Sequence, residues 1–546
     1  MRKKRTGFDV PDQWMRSNVI GGGLAILVAT ALMLTANVAQ AFEIETGSDV
    51  KIRWDTTFKY SAAARVKERS DDLVSNPNSD DGDRNFHRGI ISNRTDILSE
   101  FDLKYQNVGI HASGAAWYDT VYNRSNANDS PGTVNSTSVS PDEFTDATRD
   151  LMGRYAELLD AFVFANGAIG DRQWSIRAGR HTLLWGESLL IPGNGLAYGQ
   201  APVDVVKLLG VPFTQAKELF MPVTQVSGQI QLIKNLTLMA YYQLEWRKTR
   251  IPPAGSYLSD FDAIDKGGES LILGPGFAIR RAGDMKPNNY GQWGVGTRIR
   301  VEAVNTDFGL YYIRFDDKNP QIYVSLDGTF TPSSYQTVYG EGVSAVGASF
   351  STTIGTANIA GEVSMRQDMP LAHSGAAAPL VVLPIPGFQA DNDKHPLYAT
   401  GKTIHGQLSG IYFLRQGKLW QGGTFLGEVA WAHLASITKN PSAFDTTRQR
   451  DAYATRFILE PAYYQVFAGW DFTVPVGLGY NPRGKSVADL KFNGGADQGG
   501  DFSIGLTATY LAVWKSSLSY TDYFGHSDTQ TLKDRNFVSF AVQRTF

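Results

Sequence analysis

The sequence predicts an all-β chain: a single transmembrane antiparallel β-barrel of about 18 strands, with long external loops and an inserted plug-like segment. Three observations predict it. Apolar and polar residues alternate with a period of two in stretch after stretch. The connectors between those stretches come in two sorts, tight and long, in turn. After residue 41 no apolar run reaches the length of a spanning helix, so any later membrane crossing falls to strands.

The chain begins with a basic head, Arg2, Lys3, Lys4, Arg5 and Arg16. An apolar stretch from Val19 to about Ala36 follows, and Ala39-Gln40-Ala41 supplies small residues at a peptidase site. Residues 1–41 are thus expected to be a signal peptide cut before Phe42, leaving 42–546 as the mature barrel. The rival reading is a retained membrane anchor. The basic head is longer than such leaders usually carry, which leaves the start codon open.

In the first strand Ile52, Trp54, Thr56, Phe58 and Tyr60 alternate with Lys51, Arg53, Asp55, Thr57 and Lys59. Leu236 to Arg247, Asn358 to Arg366 and Phe502 to Ala512 repeat the pattern. A soluble β-sandwich would alternate too. It would not sort its connectors. Here Gln106-Asn107, Lys234-Asn235, Asn305-Thr306 and Arg415-Gln416-Gly417 read as tight turns. Long connectors are expected near 63–89, 122–154, 182–222, 249–289 and 368–400. Both chain ends then lie on the side of the tight turns. That requires an even strand number, with about fourteen or sixteen as alternatives to eighteen.

At the C-terminus Val538, Phe540, Val542 and Phe546 occupy alternate positions, and Phe546 is the last residue. A strand ending in a terminal aromatic resembles the signal read by barrel-insertion machinery. Arg544 departs from it, at a place where an arginine can snorkel to the interface.

Bulk properties fit this class. Mean hydropathy is −0.23, as expected when each strand averages a lipid face with a lumen face. The 55 glycines and 24 tyrosines suit many turns and interfacial girdles. Cysteine is absent, which excludes disulfides, thiolate metal sites and cysteine nucleophiles. A net charge of −3 gives no reason to expect nucleic acid as a partner.

Several stretches together resemble one outer-membrane family, catalogued as domain of unknown function thirteen-oh-two. They are Trp54-Asp55-Thr56-Thr57-Phe58, Asp80-Asp81-Gly82-Asp83, Arg177-Ala178-Gly179-Arg180 and Trp185-Gly186-Glu187. Tyr242 to Arg247, Gly361 to Arg366, Tyr520 to Gly525 and Asp534 to Val538 complete the set. The resemblance implies an outer-membrane barrel in a Gram-negative bacterium. It hints at handling of hydrophobic compounds or lipids beside a periplasmic carrier or inner-membrane exporter. It implies no cofactor.

Candidate lumen charges are Lys51, Arg53, Asp55, Lys59, Arg94, Asp96, Glu100, Asp102, Lys104, Glu362 and Arg366. Mixed in sign, they read as a hydrated, ion-paired interior or as a selective constriction. Residues 182–222 form the most unusual connector. It carries Trp185-Gly186-Glu187, a Gly/Pro-rich Ile191 to Gly195, a helix from Pro202 with Val205, Val206, Leu208 and Leu209, and a second helical piece, Gln215 to Phe220. Too apolar for a free loop, it is expected to be an internal plug, gate or cap, with Arg177 or Arg180 pairing Glu187. A packed external loop is the alternative.

Other chemistry is thinly represented. His111, Ser113 and Asp119 share a strand face, but no nucleophile elbow accompanies them. The 8 histidines show no metal-ligand spacing. Asp80, Asp81 and Asp83 resemble a calcium-loop fragment without its terminal Glu and read as a solvated acidic loop, with weak Ca²⁺ binding open. The leading expectation is a channel for hydrophobic or amphipathic molecules or lipids. A closed structural or adhesion barrel and a lipid hydrolase are the rivals.

Overall fold

The computed structural model describes residues 42–45, 49–373 and 380–546; the expected leader lies outside them. Eighteen antiparallel strands close into one barrel. In chain order they are β1 (Val50–Arg65), β2 (Gly89–Tyr105), β3 (Val108–Asp119), β4 (Arg154–Ile169), β5 (Arg172–His181) and β6 (Val223–Ile233). Next come β7 (Leu236–Gln243), β8 (Trp293–Val301), β9 (Thr306–Phe315), β10 (Val343–Ile354), β11 (Ala357–Pro370) and β12 (Thr400–Phe413). The last are β13 (Gly422–Lys439), β14 (Asp451–Phe467), β15 (Trp470–Thr473 with Val476–Arg483), β16 (Gly499–Tyr510), β17 (Trp514–Phe524) and β18 (Phe537–Thr545). Each pairs with the next, and β18 closes on β1 from Thr57↔Thr545 to Arg65↔Phe537. Phe42–Glu45 continues that edge by pairing with β1 beyond the C-terminus.

Alternation explains the wall. Leu238, Val295, Leu310, Val363, Leu408, Val429, Leu506 and Phe540 are exposed on the outer face. Their neighbours in sequence, among them Thr237, Glu362, Gln407 and Glu428, point to the lumen. Among the described residues no helix is long and apolar enough to cross a membrane.

Short turns fall at 106–107, 170–171, 234–235, 302–305, 355–356, 468–469 and 511–513. Gly170 and Gly355 take the positive φ (62° and 61°) that tight hairpins favour. The turn expected at 415–417 is wider, 414–421, because Phe413 ends the pairing early. Longer connections occupy the opposite end. Three of them (244–292, 316–342 and 371–399) build a second sheet that sequence reading missed. Its order is Leu380–Val382, Gln321–Leu326, Pro332–Val338, Phe277–Arg281, Ser270–Gly274. Strands this short, paired partly in parallel between separate loops, leave no periodic signal.

The C-terminal pattern locks the seam. Val538, Phe540 and Val542 share the outer face, and the Phe546 and Thr56 backbones exchange bonds of 2.8 and 3.1 Å. Phe546 packs edge-on against Phe58 at 5.8 Å, and Arg544 lies 4.4 Å over its ring.

Candidate functional site: a lumen crossed by an inward segment

Segment 182–222 leaves β5 and folds into the barrel. Its first anchor is Trp185, 5% exposed, which meets Tyr241 of β7 at 5.0 Å and Tyr311 of β9 at 5.7 Å. The Gln200 side chain accepts the Trp185 N–H at 2.6 Å, joining the start of the segment to the short helix Ala197–Gln200. Two wall carboxylates then hold the backbone. Glu362 of β11 accepts the amides of Glu187 (2.8 Å) and Leu196 (2.6 Å). Glu428 of β13 accepts those of Leu189 and Ile191 at 3.0 Å, that of Leu190, and the Ser188 hydroxyl at 3.1 Å.

A cation completes the cradle. Arg366 of β11, fully buried, donates to the carbonyls of Gly193, Asn194 and Gly195 at 2.9–3.0 Å and lies 4.7 Å over the Tyr198 ring. Gly186 (φ +89°) must be glycine, because a Cβ there would run into the Glu362 carboxylate. Charge-assisted bonds to otherwise orphaned amides and carbonyls are the strong kind, and they fix this stretch against the wall.

The second half meets the opposite wall. Lys207, in the helix Val205–Gly210, lies 3.4 Å from Glu157 of β4 and 3.9 Å from Glu218. It also lies 5.1 Å over the Trp117 ring. Arg250 ties the same Glu157 (2.5 Å) to Asp204 (2.6 Å). Lys217 pairs with Glu100 of β2, and Phe213 sits 4.7 Å from Lys515 of β17. The segment therefore crosses the lumen from β11–β13 to β2–β4.

The candidate residues sort as follows. Arg94 and Asp96 form a buried pair (2.7 Å) stacked on Trp117, and Arg53 pairs with Asp55 at 2.7 Å. Glu100, Trp185, Glu362 and Arg366 hold the segment as described. Arg177 faces the lumen over the Phe162 ring at 5.6 Å. Arg180 does not. It shares the outer face with Ile176 and meets Glu245 at 3.7 Å. Neither arginine reaches Glu187, whose carboxylate lies 3.7 Å from Arg298 of β8. The expected pairing fails because the segment turns toward β8 and β11 on leaving β5, away from its own strand.

Two further expectations are corrected, and the segment's apolar side chains are used in packing. Trp185, Leu196 and Tyr198 are packed with Tyr311, Ile313, Phe315 and Val343, and Ile191 with Ala430 and Ala454. Leu208, expected on a buried helix face, is 51% exposed, while Lys207 takes the inward position. Asp80, Asp81 and Asp83 are buried, not solvated. Asp83 is clamped by Arg65 (2.8 Å) and Arg535 (2.7 Å), and Asp81 faces Asp262. Among the described residues no cluster has a metal-binding arrangement. His111 and Ser113 do share a face, but His111 bonds Asp102 at 2.7 Å and Ser113 bonds Asp160, so no relay joins them.

Glu428 escaped the sequence reading. Its signal is the small-residue stripe beside it. Ala430 and Ala432 on β13 and Ala452 and Ala454 on β14 leave the wall room for an incoming segment.

The family model described as "Protein of unknown function (DUF1302)" matches residues 23–546. The chain belongs to this family. No curated protein matches it. Among solved structures it is similar to Acinetobacter baumannii OccAB4, with 10% identity and a TM-score of 0.43 over 93% of this chain and 99% of that one. Pseudomonas aeruginosa OccK9 (OpdG) gives 9% and 0.40 over 91% and 97%. Salmonella typhi OmpF, in complex with daunomycin, gives 8% and 0.36 over 92% and 100%. Likeness this remote says nothing of what the DUF1302 chain does.

Proposed function

We propose that this barrel is an outer-membrane channel for small amphipathic molecules, with passage controlled by segment 182–222. The observation that carries the reading is the latch. Glu362, Arg366 and Glu428 bind the backbone of a segment that crosses the lumen. Such contacts hold a discrete docked state, and a docked state that can be left is what a gate requires.

The reading is tested by single-channel conductance in planar bilayers, comparing the full chain, the chain lacking 182–222, and Glu362→Gln with Glu428→Gln. Rare or small openings in the first and frequent openings in the others support it. If none of the three conducts, the closed structural barrel takes its place. Glu187→Ala is the weaker probe, because that residue is latched through its backbone amide rather than its carboxylate.

A further inference from the structure

Beside the far end of the segment lies a pocket of about 600 Å³. That volume is in the range of small-molecule sites. It is built where the loop 244–292 passes over Met221 and the start of β4. Its apolar side is Leu151, Tyr155, Met221 and Trp246. Its polar side is cationic, with Arg247, Lys248, Arg250, Lys266 and Lys286 against the single carboxylate of Asp265.

Two of these cations are already matched. Lys248 is held by Asp265 (2.5 Å) and Asp284 (3.0 Å), and Arg250 by Glu157 and Asp204. The remainder are not. Arg247 stands 4.0 Å from Glu245, a carboxylate it shares with Arg180. Lys266 and Lys286 make no ion pair among the described residues, and both are exposed to the pocket's opening. Lys266 lies 5.8 Å over the Tyr155 ring. A cavity with an aromatic wall and unmatched cations at its rim favours a ligand with an apolar body and a negative head.

We propose that this pocket binds a small amphipathic organic anion, with the carboxylate or an equivalent head between Lys266 and Lys286 and the apolar body against Trp246 and Tyr155. The assignment rests on the channel reading for its purpose and names that channel's substrate class. It also couples to the segment. Arg247 donates to the Pro222 carbonyl at 2.8 Å, and Arg250 pairs with Asp204 while its backbone bridges Val203 and Val205. An anion drawing on either guanidinium competes with the segment's own anchors.

The test uses the full chain in lipid nanodiscs and ¹⁹F NMR of 4-fluorophenylacetate, with 4-fluorophenethylamine and 2-(4-fluorophenyl)ethanol as probes of the same body. The anion should bind saturably, more weakly as salt is raised. Replacing both exposed lysines, Lys266→Gln with Lys286→Gln, should weaken it about tenfold or more, as expected for two lost charge-assisted contacts. Equal binding of the anion, amine and alcohol overturns the proposal, as does unchanged affinity in the double variant. The conductance of the chain lacking 182–222 separates the two readings. Conduction without anion binding overturns the ligand class and leaves the channel. Anion binding to a barrel that never conducts upholds the site and removes the channel.

Discussion

Glu428→Gln is the sharpest test of the latch. The carboxylate accepts three consecutive amides, Leu189 to Ile191, through one oxygen. A glutamine oxygen can take that place, with its amide turned to the Ser188 hydroxyl, so shape is kept and charge is lost. Hydrogen bonds to a charged group contribute about 1.5–3 kcal/mol and neutral ones about 0.5–1.5, a difference of about 1 kcal/mol per bond. Three bonds give about 3 kcal/mol, and relief from burying a charge offsets part of it, leaving about 2 kcal/mol. At about 1.4 kcal/mol per tenfold this is a fall of roughly 30-fold in the docked population's advantage. Hydrogen exchange in nanodiscs reads it directly, as lost protection of the amides at 189–191 with the barrel strands unchanged. Protection within about twofold of the parent at those amides would refute the latch energetics. Equal loss in every strand would show that Glu428 serves the barrel as a whole.

The external loops supply a pH dependence of definite sign. Burial, chiefly, raises the Asp262 carboxyl to about 7, and burial with the facing Asp262 raises Asp81. A carboxyl raised in the folded state stabilises it fully below the unfolded value near 4, and that contribution is lost as pH rises through about 7. Exchange protection of the loops around Asp81 and Asp262 should therefore fall between about pH 4 and 7, and Asp262→Asn should flatten the profile. Asp83→Asn removes one of the two buried carboxylates shared by Arg65 and Arg535, and Asp534 stays at 3.3 and 3.6 Å from them. With that partner left, a loss of about 3 kcal/mol follows, the low end for a broken buried pair, checked by the temperature at which the folded band converts in gel electrophoresis; an unshifted conversion would contradict the clamp. Phe546→Ala should slow assembly where insertion machinery is present more than spontaneous folding into short-chain lipid vesicles, and equal slowing in both would reduce Phe546 to packing on Phe58.

The wall was legible in the sequence because its physics is local. A strand between lipid and lumen must alternate, and Ile52 to Tyr60 or Phe502 to Ala512 carry that rule without reference to anything distant. The tight turns were readable for the same reason. The apolar character of 182–222 was readable too, but an inward plug and a packed external loop stood as equal alternatives until the contacts of Trp185, Leu196 and Ile191 with the wall were seen. What it would grip was not readable. Glu362 and Glu428 are lumen-side carboxylates like several others, and only the path of a segment some hundreds of residues away in sequence makes them acceptors. The loop sheet escaped for a related reason, its pairings joining loops that no periodicity links.

The mixed signs of the lumen charges that meet the segment follow from the crossing itself. A segment laid across a polar lumen brings unsatisfied amides, carbonyls and its own charges to both walls, and each must meet its complement. On one wall it presents N–H groups and carbonyls, and the wall answers with Glu428, Glu362 and Arg366. On the other it presents Lys207, Lys217 and Asp204, answered by Glu157 and Glu100 of the wall and by Arg250 of the loop 244–292. A single-sign ladder could not dock such a segment. The interior is therefore better read as the receptor of its own plug than as a filter, and the lysines left without an ion pair among the described residues, Lys266 and Lys286, lie in the pocket where the segment ends.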